Sequence, residues 1–292
     1  MDGAGICARL ARVSRSLRRR ACSIAAAVAA IAIAATVEAQ FRQRGFGGRG
    51  FFNARYATRE DFDGRFHFCR IVFRNDFRGD GGGWSVDYPR ADINLSTRLA
   101  ELTKTDVSRA PTGEPNHLLL PLTAPELFDC PFIMMTEVGA AGIDEREAAN
   151  LHDYLVKGGF LWADDFWGEL AWNWWVSQLR KALPAEEFPI VDLPPDHPLF
   201  KVQFNVDKTP QIASINFWAG SGGGTSERGA ESATVHTRAV VDSHGRIMVL
   251  MTHNTDFGDS FEREADDPRY FYNFSVPGYA FGINALLYSM TH

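Results

Sequence analysis

Apolar residues along this chain fall into two rhythms. Unbroken runs of five to seven residues stand at His67–Phe73 (HFCRIVF), His117–Leu122 and Pro131–Thr136 (PFIMMT), with a shorter one at Phe160–Ala163. Their β-branched and aromatic content marks strands, and a run without polar breaks marks a strand covered on both faces. Between them the apolar positions take helical spacing. Ile93, Leu95, Leu99 and Leu102 predict a helix that starts at Asp92 as N-cap and runs to about Lys104. Asp144, with Glu147 three residues on, forms a capping box for a helix that Gly158 ends. Trp167–Leu183 is a third helix closed by Pro184, and Pro277–Met290 a last one.

Strand alternating with helix calls for a parallel sheet with right-handed crossovers. The later chain differs. Ala239–Asp242 and Arg246–Thr252 flank Ser243-His244-Gly245, a hairpin that adds antiparallel strands. Gly220–Gly229 reads as a mobile loop, and there are no internal repeats.

The chain before Phe66 does not fit this pattern. Six arginines precede an Ala-rich apolar run from Ala21 to Val37, and the run closes on Val37-Glu38-Ala39. These are the three parts of a secretory signal, residues 1–39. The rival reading is an uncleaved anchor, but a spanning helix needs roughly twenty strongly apolar residues. Residues 40–65, rich in Arg and Gly at the start, read as a flexible leader, and 66–292 as the folded domain. The expected mature protein is therefore exported, periplasmic or secreted, with no stable membrane span.

Losing six arginines and two acids moves the formal charge from −6 to −10. That balance excludes a nucleic-acid partner, which needs a basic footprint. It favours neutral ligands, cations or basic partners. Cys7 and Cys22 leave with the signal. Cys69 and Cys130 are then either a bridge, which export permits, or two small buried hydrophobes.

Six segments, WSVDYPRADINL, FDCPFIMMTE, YLVKGGFLWADDFWG, DHPLF, MTHNTDFGD and GINALLYSMTH, occur in order from about Phe66 to His292. In them the chain resembles the bacterial family called domain of unknown function 4159 (DUF4159). More loosely it is similar to trehalose-utilisation (ThuA-like) domains and class I glutamine amidotransferases. The resemblance implies an α/β fold of flavodoxin-like, three-layer type, with a mainly parallel sheet, helices on both faces and added antiparallel strands. It also implies that the place of the amidotransferase cysteine, after the Gly-Gly strand, is held by Asp164, which removes thioester-forming glutaminase chemistry. The late-strand histidine of those enzymes falls at or near His253, with Asp256 following.

The candidate chemistry lies at strand ends, where α/β sheets bind ligands. Asp164 and His253 are the candidate catalytic pair, as acid and base or as metal holders. Asp165, Asp256, Glu137, Asp87 and Trp84 are candidate ligand-binding residues. Asn75 and Asp76 could border the same crevice, and Asp259 and Glu262 could join Asp256 in an oxygen-rich cation site. Each has a plainer reading: Asp165 caps the next helix, Asp164 braces a loop, and Asp-Phe-Gly-Asp makes a turn. Five of the seven tryptophans (Trp162, Trp167, Trp172, Trp174, Trp175) fall within fourteen residues. They fit core or a partner interface, or carbohydrate stacking.

Three functions remain on this reading. The first is a ligand-binding, non-glutaminase domain of the cell envelope, with a small molecule or glycan as ligand. The second is a carbohydrate-active hydrolase or metal-dependent enzyme using Asp164 and His253. The third is a structural module that binds a protein partner. No cofactor is called for, a divalent cation excepted.

Overall fold

A computed structural model of the protein describes residues 55–292. The expected signal at 1–39 and the Arg/Gly segment as far as 54 lie outside the described residues. In chain order the elements are β1 (Phe68–Val72), β2 (Arg74–Asn75), α1 (Arg90–Leu102), β3 (His117–Pro121), β4 (Phe132–Thr136), β5 (Ala141–Gly142), α2 (Glu145–Val156), β6 (Phe160–Phe166), α3 (Gly168–Ala182) and β7 (Ile190–Asp192). There follow α4 (Ile215–Gly220), β8 (His236–Val241), β9 (Ile247–His253), α5 (Phe257–Glu262), α6 (Pro268–Tyr270) and α7 (Val276–Thr291), with a π turn at Phe271–Ser275 joining the last two.

Seven strands make one mixed sheet in the order β3-β1-β4-β6-β9-β8-β7. The first five are mutually parallel, while β8 and β7 are antiparallel additions. This is an α/β architecture with a mainly parallel sheet. The unbroken apolar runs are explained directly: every residue of β1, β4, β6 and β9 is buried. Alternation along those strands feeds two apolar clusters. Ile71, Ile133, Leu161 and Met251 join Leu151 of α2 and Trp175 of α3 in one. Phe68, Met134, Trp162 and Leu250 join Leu95 of α1, Phe257 of α5 and Phe281 of α7 in the other. Each such side chain contributes about 1.5–3 kcal/mol through removal from water, so the sheet core fixes where the strand ends project.

Four expectations are corrected. α1 starts at Arg90, so Asp92 is not its N-cap but lies buried in the first turn against Arg70 of β1. β6 runs three residues beyond Ala163, through both aspartates, to Phe166. Part of the expected leader is packed: Ala57 is buried and its N–H donates to the Leu119 carbonyl at 2.9 Å. The glycine-rich loop at 220–229 is tied down, with Thr225 Oγ1 donating to Gln211 Oε1 at 2.8 Å and the Ser214 N–H to Glu227 Oε1 at 2.7 Å.

Of the two readings for Cys69 and Cys130, the bridge is the one found, joining β1 to the residue preceding Pro131 and β4. A non-reducing peptide map of the protein is expected to recover the Cys69 and Cys130 peptides as one linked species. Free thiols at both positions would contradict the pairing.

Candidate functional site

The parallel strands end on strained backbone. Glu137 after β4, Asp165 in β6, Asn254 after β9 and Asp87 in the loop before α1 all take left-handed φ values, of 54°, 55°, 65° and 62°. Non-glycine residues enter that region at a steric cost and only where their surroundings impose it. In β6 the cause is a bulge. Ala163 pairs with Met251 and Phe166 with His253, so β6 spends three steps where β9 spends two. A bulge re-aims the side chains that it contains, and here it contains Asp164 and Asp165.

The two acids part company. Asp164 faces the α5 and α7 side: its Oδ1 accepts from Thr252 Oγ1 at 2.5 Å, and its Oδ2 accepts the Phe257 and Gly258 N–H groups at 2.9 and 3.3 Å. It therefore caps the start of α5 and, fully buried, is pushed up to about 7 by loss of water, against those bonds. Asp165 does not cap the next helix, whose N-cap Trp167 makes no side-chain capping bond. Instead its Oδ1 accepts from Trp167 Nε1 at 3.0 Å.

Asp165 meets Asp87 and Asp256, with one carboxylate oxygen of each lying within 4.8 Å of those of the other two. All three are buried, at 5%, 8% and 4% exposure. Burial, and then the charges of their acidic neighbours, push each well above the carboxylate range. Asp256 is anchored as the N-cap of α5, its Oδ1 accepting the Asp259 N–H at 2.7 Å. Asp87 is placed by Arg70, whose Nη1 donates to the Trp84 and Val86 carbonyls at 3.1 and 3.3 Å while Nε is held by both oxygens of Asp92. Asp87 Oδ2 is buried without a hydrogen-bond partner among the described residues. It rests on Gly258, where an added Cβ would come within 2.1 Å of it.

Glu137 borders the group beside Gly81 and Gly82 and is pushed up to about 8, chiefly by loss of water. Its charge contributes to the shift at Asp165. Asp259 belongs to a neighbouring set with Asp87 and Glu262, but its Oδ2 is already held by the Ile215 N–H and the Tyr270 hydroxyl.

His253 is not part of this group, which corrects the expected Asp164–His253 pair. The two sit on adjacent strands of one sheet but face opposite sides. Thr252, the partner of Asp164, precedes His253, and successive strand residues point to opposite faces. His253 stacks on Phe166 and His236 at 5.0 and 5.8 Å, with Trp172 at 5.2 Å, and its Nε2 lies 3.0 Å from the Gly168 carbonyl. Burial in that stack lowers it to about 4, so it is a neutral packing histidine at ordinary pH.

Trp84, expected to touch ligand, is 2% exposed and packs in the core. The tryptophan cluster is not an open contact face either. Trp162, Trp167 and Trp175 are buried, and none of the five is among the exposed large hydrophobics. Asn75 and Asp76 turn to the neighbouring loop, Asn75 Nδ2 donating to the Gly82 carbonyl and Asp76 pairing with Arg78. Arg70 is the residue that sequence reading passed over. A lone arginine in the middle of HFCRIVF was the signal for it, since a buried guanidinium requires a carboxylate partner.

Among known proteins, a family model described as domain of unknown function (DUF4159) matches residues 68–290. No curated protein matches the chain. No helix among the described residues is long and apolar enough to cross a membrane.

Proposed function

The chain belongs to the DUF4159 family, and from that premise we propose that it is an exported ligand-binding domain on the amidotransferase-like plan, without glutaminase chemistry. Several observations support this. Counted in chain order, the five parallel strands run 2-1-3-4-5 across the sheet, the order of flavodoxin-like doubly wound proteins, whose ligands bind beyond the carboxyl ends of the strands. Apolar clusters on both faces, each with its own helices, suit a three-layer arrangement. The Cys69–Cys130 bridge suits an oxidising compartment.

The strained strand-to-helix turn where a nucleophile would stand is at Asp165, one residue beyond the position expected. Asp165 carries neither a thiol nor a hydroxyl, and Asp164 is consumed in capping α5. The observation that carries the reading is the meeting of Asp87, Asp165 and Asp256 at this edge. Three acids from three separate segments suit a small molecule rich in hydroxyls or amines, such as a glycan, because carboxylates accept but do not donate hydrogen bonds.

Isothermal calorimetry with a panel of oligosaccharides and polyamines, on the protein from residue 40 onward, tests it. Saturable heat is expected for at least one member, reduced about tenfold or more in affinity by Asp165→Asn, a change of roughly 1.4 kcal/mol. No saturable binding across the panel, or binding indifferent to Asp165→Asn, would remove the reading.

A further inference from the structure

We infer that Asp87, Asp165 and Asp256 form a divalent-cation site at the carboxyl edge of the sheet, a hard-ion site of calcium or manganese type. The inference rests on the reading of that edge as the place of binding, and it names what is bound there first.

Four observations converge on an ion. The first is spacing. Two oxygens on one ion cannot be further apart than twice the metal–oxygen distance, about 4.6–5.2 Å for calcium. The three carboxylates already offer oxygens within 4.8 Å of one another.

The second is Asp87 itself. Asp87 is 8% exposed, one of its oxygens belongs to the group, and its buried Oδ2 has no hydrogen-bond partner among the described residues. A carboxylate stripped of water and left unpaired is costly unless something positive or a proton joins it. The third is orientation. Trp167 Nε1 holds one oxygen of Asp165, and the Asp259 N–H holds one oxygen of Asp256. Among the described residues no hydrogen bond reaches the second oxygen of either, so each carboxylate is fixed in angle with an oxygen still available. This is how protein groups behind a metal site orient its ligands.

The fourth is charge. Among the described residues no Lys or Arg ion-pairs with any of the three. Arg70 is committed to Asp92, Arg228 to Asp80, and Arg263 to Asp259, Glu262 and Asp266. No described residue supplies the compensating charge, which falls to a cation or to protons. All three donors are oxygens, which selects calcium, manganese or magnesium over zinc or copper. Asp259 and Glu262 share Asp87 in a second possible set, but Arg263 ion-pairs with both Asp259 and Glu262, so that set already has a counter-charge.

Terbium, a luminescent stand-in for calcium, gives the test, because Trp167 Nε1 lies 3.0 Å from an Asp165 oxygen and can sensitise its emission. The mature protein is stripped with chelator and titrated with terbium under tryptophan excitation. The expected result is saturation near one equivalent and displacement by calcium. Asp87→Asn and Asp165→Asn should each weaken the affinity about tenfold or more, as expected on loss of ligand charge. Trp167→Phe should remove most of the sensitised emission while calorimetric calcium binding persists.

Both Asn variants keep the shape and hydrogen-bond acceptor of Asp, and a thermal melt in chelator checks that they fold. In wild type, calcium should raise the melting temperature, and in the variants it should not. Binding unaffected by both Asn variants, or no saturable binding up to about 10 mM ion (beyond the about 10⁻⁴–10⁻³ M of weak extracellular sites), would overturn the inference. An ion that binds while no organic ligand does leaves the inference standing and removes the proposed ligand. An organic ligand bound equally well in chelator removes the inference alone.

Discussion

Asp92→Ala is expected to lower the unfolding free energy by about 3–5 kcal/mol, the cost of breaking a buried ion pair from one side. Arg70 and Asp92 are both fully buried. Asp92 takes the Nε proton on both oxygens and also pairs with Nη2, while the other guanidinium nitrogen binds the Trp84 and Val86 carbonyls. Removal of the carboxylate leaves a guanidinium in the core with two neutral acceptors and no counter-charge. Against a total stability of about 5–15 kcal/mol for a domain, this single change removes roughly a fifth or more. Urea unfolding at neutral pH measures it as a fall in midpoint at constant slope. The double variant Arg70→Met with Asp92→Leu should recover most of the loss, since apolar side chains of similar size often replace a buried pair without penalty. A loss below about 1 kcal/mol for Asp92→Ala would show that water reaches Arg70. The same variant should weaken whatever binds at the site, because Arg70 holds the two carbonyls that precede Asp87.

The legible parts of the fold were those written as local pattern. Continuous apolar runs gave β1, β3, β4 and the start of β6, and the Asp144–Glu147 capping box is present as expected, with the Glu147 N–H donating to Asp144 at 2.9 Å. The hairpin around Ser243-His244-Gly245 pairs β8 with β9 as expected. What could not be read were features decided by distant partners. Asp92 has an N-cap's residue type and position, yet a charge twenty-two residues earlier claims it. The bulge in β6 leaves no local mark, because it is set by the pairing of Phe166 with His253. That bulge decides the site. By strand alternation alone, one aspartate of the pair should face a crevice and the other cap the next helix. With the bulge, Asp164 caps α5 from a neighbouring strand and Asp165 turns toward Asp87 and Asp256. Of the adjacent pair it is thus Asp165, not Asp164, that meets the other two acids. Asp87, Asp165 and Asp256 were each named among the acids of one crevice, but their meeting depends on strand order and on the bulge, which only the folded chain displays.

In cation-free solution the protein is expected to gain stability as the pH falls from about 8 to about 6, the reverse of ordinary acid sensitivity. The groups concerned are Asp87, Asp165 and Asp256 with Asp164, Glu137 and Asp259 around them, and Arg70, Arg228 and Arg263 as the nearby cations. Asp164 is raised to about 7, Glu137 to about 8 and Asp259 to about 6, and the central three lie well above their ordinary values, all chiefly through loss of water. A carboxyl group with a raised folded pKa binds its proton more tightly when folded. The stability that it contributes is complete below its unfolded pKa, near 4, and is lost as the pH rises through the folded value. Between about pH 6 and 8 the native state therefore holds more protons than the unfolded chain, and stability falls with rising pH. His253 works the other way. Its pKa is lowered from 6.5 to about 4, so its contribution is present above 6.5 and is lost as the pH falls toward 4. Below about pH 6.5 His253 therefore offsets part of the carboxyl groups' gain. Each fully responding group changes the free energy by about 1.4 kcal/mol per pH unit. Because the acids titrate as a coupled set, a net rise of order 1–3 kcal/mol from pH 8 to 6 is expected. Urea unfolding in chelator across this range measures it. Asp165→Asn should raise the stability at pH 8 and flatten the slope, because it removes one of the repelling charges. Added calcium should do the same to wild type by binding the ionised form. A wild-type profile in chelator that is level or declines from pH 8 to 6 would mean that these carboxylates ionise at ordinary values, and the electrostatic demand for a counter-ion at this edge would disappear.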